Sequence, residues 1–215
     1  MIMAGREELE EEIRCRLQEK DHSGAATVAL RGYRAEIFGF LLAFHRDQED
    51  ALEVFSLFGE RLWLDLPSFK QECSFRTWAY ILARHASLNY RRDTRRRAKR
   101  QPALPEGSEL SGLVAVVRSE TASFLRTERR TRFTALRESL PAEDQALLVL
   151  RVDRKLSWND LARVLHEGAG GLDEAEITRE AARLRKRFQL LKARLRELGR
   201  RAGVVSDDDQ DGQMG

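Results

Sequence analysis

The chain has 215 residues, 42% hydrophobic and 34% charged, the composition of a globular protein with room for one large domain or two small ones. Its formal charge is only +3, but the charge is segregated: Met1 to His22 and Val204 to Gly215 are acidic and two internal segments are strongly basic, which points to a polyanionic partner. No apolar run approaches the roughly 20 residues of a membrane span, the start "MIMAGREELEEEIR" lacks a signal-peptide core, and Cys15 and Cys73 stand in no disulfide or metal spacing, so a cytoplasmic protein without membrane insertion is expected.

Apolar residues recur at helical spacing along the chain. Val28, Tyr33, Ile37, Phe40 and Leu41 mark one helix, Val54, Phe55, Phe58 and Leu62 the next, and Trp78, Ile81, Leu82 and His85 a third. No alternating strand pattern competes with them, and the four prolines, at 67, 102, 105 and 141, fall where the helical pattern breaks or restarts. The expected class is all-α, with two small helical domains joined by a linker. An acidic extension covers 1–22, the first domain 23–100, the linker 101–116, the second domain 117–203 and an acidic tail 204–215. The linker assignment rests on "QPALPEGSELSG", which has two prolines, two glycines and little apolar pattern. The tail has too few large apolar groups to offset the entropy of ordering and is expected to be disordered.

The stretch "CSFRTWAYILARHASLNYRRDTRRRAKR" combines a helix with an arginine run. Ser74 is placed to N-cap a helix from Phe75 to about Arg97. Trp78, Ile81, Leu82, His85 and Leu88 form its expected core stripe, with Arg76, Arg84, Arg91 and Arg95 mostly away from it; Tyr80 is the aromatic expected to be exposed. Seven basic residues face one acid between Arg91 and Arg100, a density that nucleic-acid phosphates would neutralise. The plainer reading is a helix C-terminus whose cations interact with the helix dipole and sit in water.

A second basic unit follows a helix-compatible stretch from Val114 to Ser139. "LPAEDQALLVLRVDRKLSWNDLARVLHEG" reads as two short helices turning at Lys155 to Ser157, with Pro141, Glu143 and Asp144 in the first turn and Ser157 and Asp160 forming a capping-box-like start. Leu147, Leu150, Trp158, Leu161, Val164 and Leu165 are the expected core. Asp173 and Glu176 then open a long helix to about Arg201, with ten basic residues against two acids from Arg179 onward and an apolar stripe at Ala182, Leu184, Phe188, Leu191, Leu195 and Leu198. Two short helices followed by a basic one is the helix-turn-helix plan. A coiled-coil arm with a charged exterior is the alternative.

At this point the sequence resembles the bacterial RNA polymerase sigma factors of the extracytoplasmic-function group, over about Ala25 to Gly199. "FKQECSFRTWAYILARHASLNYRRDTRRR" is similar to the end of sigma region two, with its S-F-R-T-W-L-Y-x-I-A-R-N pattern and trailing basic residues. "ALEVFSLFGERLW" is similar to the preceding A-E-D-L-V-Q-x-V-F-x-x-x-W helix, and "LRKRFQLLKARLREL" to the region-four recognition helix. The resemblance implies that Asn89, Arg91, Arg92, Arg95 and Arg96 face the minus-ten element and Arg183, Arg185, Lys186, Arg187 and Lys192 the minus-thirty-five element. It also implies that Asp50, Glu53, Val54, Phe55 and Ser56 face core RNA polymerase. Glu53 and Ser56 replace the usual Asp and Gln, His85 and Asn89 stand where Asn and Asp are usual, and "HEGAGGLDEAEI" reads as an insertion in the helix-turn-helix.

The implied partners are core RNA polymerase and promoter DNA; whether an anti-sigma factor also binds stays open. A stand-alone helix-turn-helix regulator is the alternative function. An enzyme is not expected, nor a cofactor: His22, His45, His85 and His166 fall in no metal spacing, and no phosphate-binding loop or nucleophile motif occurs.

Overall fold

A computed structural model describes residues 4–97, 137, 139–166 and 171–201. Among these residues the regular elements are helices: α1 Ala4–Gln18, α2 His22–His45, α3 Gln48–Asp65, α4 Phe75–Arg97, α5 Ala142–Leu148, α6 Trp158–Leu165 and α7 Glu174–Arg201. A 3-10 turn, Leu66–Ser68, follows α3, and a π turn, Val149–Asp153, follows α5. The all-α expectation holds. The linker at 101–116, the helix-compatible stretch from Val114 as far as 136, and the acidic tail lie outside the described residues.

Local chemistry starts and stops the first helices. The Asp21 carboxylate accepts from the backbone N–H of Gly24 and opens α2, while Asp47 accepts from Asp50 N–H at 2.8 Å and opens α3. Between them Arg46 ends α2 in the left-handed conformation, φ 62°. So short a connection folds α3 back along α2. Phe38 meets Phe55 edge to face across that contact, and Phe40 meets Tyr80 of α4 in the same way.

The acidic N-terminal helix is part of this packing. Ile13 of α1 is buried in the core, and α1 lies so close to α2 that any side chain at Gly32 would collide with Leu9. Glu10 reaches the start of α4: one carboxylate oxygen accepts from Phe75 N–H at 2.9 Å and the other from Arg76 N–H at 2.8 Å, while the Tyr33 hydroxyl donates to the same group. The expected cap is also present, with Ser74 Oγ accepting from Thr77 N–H at 3.1 Å. Two caps therefore share one helix N-terminus, one local and one from 65 residues away.

In the second unit Ser157 accepts from Asp160 N–H at 3.1 Å and starts α6, after a turn in which Lys155 takes φ 56°. Asp173 and Glu176 form the expected reciprocal box, each carboxylate accepting the other's backbone N–H at 2.9 and 2.7 Å. The helix they open has 28 residues, roughly 42 Å at about 1.5 Å per residue. Because it begins at Glu174, "HEGAGGLDEAEI" divides between the connection and added N-terminal turns of α7. Its buried face is Ile177, Ala181, Leu184 and Leu191, with Phe188, Leu195 and Leu198 half-buried. Ala182, expected in the stripe, is exposed: the extra turns set the period from Ile177, and Ala182 falls about 100° beyond Ala181.

The two units meet. α2 packs on α5 and α4 on α6, so the apolar core runs without a break from Ile13 to Leu184. This contact corrects the expected orientation of α4. Tyr80 is fully buried rather than exposed, Arg76 and Arg84 are buried rather than turned to water, and His85 is exposed while Trp78, Ile81 and Leu88 are half-buried. The reason is that α4 is covered by α1, α2, α3 and α6, more of its circumference than one apolar stripe accounts for.

Replacing Glu10 with alanine leaves two buried-end N–H groups and the Tyr33 hydroxyl without their acceptor. The expected loss is about 2–3 kcal/mol in urea unfolding, against about 1 kcal/mol for Ser74→Ala, whose cap is backed by Glu10.

Candidate nucleic-acid interface

The residues expected at the minus-ten element are in several different states. Asn89 and Arg92 are exposed on α4, whereas Arg91 is half-buried, with its guanidinium 5.2 Å from the centre of the Phe44 ring and 3.9 Å from a Glu143 oxygen. Arg95 and Arg96 lie on the last turns of the helix, and their side chains are outside the described residues. The Tyr90 hydroxyl donates to Asp50 at 2.6 Å, tying the start of α3 to this end of α4. His45 packs edge-on against Tyr90, and its Nε2 is buried with no hydrogen-bond partner among the described residues.

Two arginines of α4 are buried. Arg76 makes a bidentate pair with Glu36, at 2.8 and 2.7 Å, and donates to the carbonyl of Arg154 at 2.6 Å. Burial works against its charge, but the hydrogen bonds and field of Glu36 outweigh that and hold the guanidinium above its ordinary pKa. Arg84, 1% exposed, pairs with Glu143 at 3.0 Å and lies over the Phe44 ring. Sequence reasoning missed both, along with their partners; the arginines were visible but the carboxylates that draw them inward are distant in the chain.

On α7 the side chains of Arg183, Arg185, Lys186 and Arg187 are exposed, and Lys192 is half-buried. Arg183 pairs with Glu180 one turn away at 3.0 Å, and Arg187 reaches Asp144 of α5 at 2.7 Å. Arg185 lies 5.8 Å from the centre of the Trp158 ring, and Lys192 lies 5.7 Å from that of Phe188, so α6 and α7 hold these cations in place through ring faces.

On α3, Asp50, Glu53 and Ser56 are partly exposed, and Ser56 Oγ donates back to Leu52 O at 3.0 Å. Val54 and Phe55, expected on the same binding surface, are buried at 0% and 1% exposure, on the inward side of the helix. Trp63 and Leu64 are exposed large apolar groups at its far end. Among the described residues no helix is long and apolar enough to cross a membrane, and no cluster of three or more His, Cys, Asp or Glu could hold a metal. Burial pushes the Cys73 thiol up to about 11, which keeps it protonated at neutral pH.

Residues 30–97 match the family model of sigma-70 region 2. Over 171 residues the chain is 28% identical to the RNA polymerase sigma factor YlaC of Bacillus subtilis strain 168, spanning 78% of this chain and 92% of that relative. The region 2 match and this relative together support an RNA polymerase sigma factor of the extracytoplasmic-function type, with a role in transcription initiation. No solved structure matches the chain. The region 2 match begins inside α2 and ends with the last residue of α4, so α1 and its Glu10 cap precede it.

Burial lowers the pKa of His45 from its ordinary 6.5, with Asp50 opposing the shift and Arg91 adding to it. The unfolded chain therefore binds a proton more readily, and the stabilisation from keeping His45 neutral is complete above about pH 6.5 and lost as the pH falls below it. Urea midpoints at about pH 7.5 and 5.5 are expected to differ in that direction, with a smaller difference in His45→Phe.

Proposed function

We propose that this sigma factor binds core RNA polymerase through the exposed side of α3, around Asp50, Glu53 and Ser56, with Val54 and Phe55 holding that helix in place from beneath. The basic end of α4, from Asn89 through Arg96, contacts the minus-ten element. α7, with Arg183, Arg185, Lys186, Arg187 and Lys192, enters the major groove at the minus-thirty-five element. A first domain at 23–100 and a second at 117–203, joined through 101–116, would let the two DNA-reading helices act at separate sites in the cytoplasm.

The observation that carries this reading is the pairing of a region 2 match ending in a basic helix with a second, capped basic helix that presents four cations to solvent on one segment, Arg183 to Arg187. Cations there act in two ways. Those facing phosphate release counterions and make binding salt-dependent, and those reaching base edges give discrimination of about 1–3 kcal/mol per bidentate pair.

Core polymerase supplemented with this protein should initiate transcripts in vitro at positions preceded by two shared sequence elements. Start sites without shared elements would overturn the reading, and operator binding without capture of core polymerase would favour a stand-alone regulator. Arg185→Ala with Lys186→Ala is expected to weaken promoter binding roughly 10- to 100-fold at moderate salt and to flatten the slope of log K against log salt by about one unit per lost phosphate contact. Glu53→Arg should reduce capture of core polymerase and leave the unfolding midpoint nearly unchanged.

A further inference from the structure

Two consecutive leucines on α7 have opposite surroundings. Leu191 is buried at 3% exposure, in the small apolar cluster with Leu140 and Leu148, while Leu190 is 66% exposed. Successive residues of a helix are about 100° apart, which turns Leu190 away from the side that buries Ile177, Ala181, Leu184 and Leu191. The packing of α7 therefore leaves a large apolar side chain in water.

A lone exposed leucine is ordinary on a protein surface, but the neighbours of this one are not. Arg183, Lys186 and Arg187 precede it by seven, four and three residues, and Arg194 follows it by four, the spacings that line side chains along one face of a helix. All four cations are exposed. Ala193, three residues on, is exposed as well and ends at its methyl group, so the helix can lie close to a surface on that side. Among the described residues the other large exposed apolar groups, Trp63, Leu64 and Val152, belong to other elements. What α7 presents is one apolar point inside a cationic stripe, too little for a second helix to pack on.

Cations on such a stripe gain by releasing counter-ions from phosphates, and a leucine among them adds nothing to that exchange. It gains only by leaving water against another apolar group. In the major groove the base edges carry hydrogen-bond donors, acceptors and one apolar group, the C5 methyl of thymine.

We propose that Leu190 is a specificity-determining residue that packs against a thymine methyl group in the major groove, so that one position of the minus-thirty-five element must be thymine. This rests on the reading of α7 given above and deepens it: the cations supply affinity, and Leu190 selects a base without a hydrogen bond. Four residues of helix rise about 6 Å, so the thymine lies about two base-pair steps of 3.4 Å from the point that Lys186 reaches.

The test uses core polymerase with the full chain, and promoters that this complex selects from a randomised duplex library. Each thymine of the minus-thirty-five element, on either strand, is replaced singly by uracil, which removes the methyl group and leaves base pairing and hydrogen-bonding edges intact. Uracil at one position should weaken binding about fourfold, the value of one apolar carbon taken out of water. Leu190→Ala, an exposed change to a strong helix former, should bind the thymine promoter about fourfold more weakly, lose the uracil effect at that position and keep the slope of log K against log salt. A selected element without thymine, no uracil effect at any position, or uracil effects as large in Leu190→Ala as in the parent chain would overturn the assignment. If α7 does not read this element at all, Arg185→Ala with Lys186→Ala will leave promoter binding unchanged; if only the role of Leu190 fails, that loss remains.

Discussion

A guanidinium taken out of water must bring its counter-charge with it, and α4 takes in two. Arg76 is met by Glu36 of α2 and Arg84 by Glu143 of α5, and removing Glu36 would leave the Arg76 charge without its carboxylate at a cost of about 3–5 kcal/mol. These pairings fix the rotation of α4 about its axis. With Arg76 and Arg84 turned inward, Tyr80 goes in with them, and Asn89 and Arg92 are left facing solvent. The Arg154 carbonyl, accepting from Arg76, extends the same network to the second unit.

The charge segregation that suggests a nucleic-acid partner also shapes the fold. A sigma factor needs cationic surface for DNA, yet the cations nearest the core must be neutralised when no DNA is bound. In this chain the neutralising groups are Glu36 on α2 and Glu143 and Asp144 on α5, and Glu10 on α1 adds a carboxylate at the start of α4. Glu10 differs from the others in serving backbone N–H groups of α4, where the positive end of the helix dipole favours a carboxylate. The first turn of α5 similarly favours Glu143 and Asp144 for its own N-terminus, so those acids meet a local need and a distant one with the same charge.

Several features were legible because their partners are close in sequence. Ser74 over Thr77, Ser157 over Asp160, and Asp173 with Glu176 each close within three residues, and all three caps stand where spacing alone puts them. The all-helical class followed from apolar period, and the resemblance of "SFRTWAYILARHASLNYRR" to the end of region two agrees with the family match at 30–97. The buried face of α4 was misread because periodicity locates one apolar stripe and cannot see a second covering surface, so Tyr80 was placed outside. Val54 and Phe55 show the same limit: a motif position says that a residue belongs to a helix, and not which side of it meets the core.

The sequence by itself determined the helical class, the starts of α4 to α7, the segregation of charge and the family resemblance, since each depends on residues within a turn or two of one another or on the order of motifs; α1 was read only as an acidic extension. Only the tertiary structure decided which arginines are buried, that Glu10 caps a helix 65 residues away, and that Glu143 and Asp144 join the two basic helices. Ion pairs and long-range caps depend on which surfaces meet in space, and neither composition nor period encodes that.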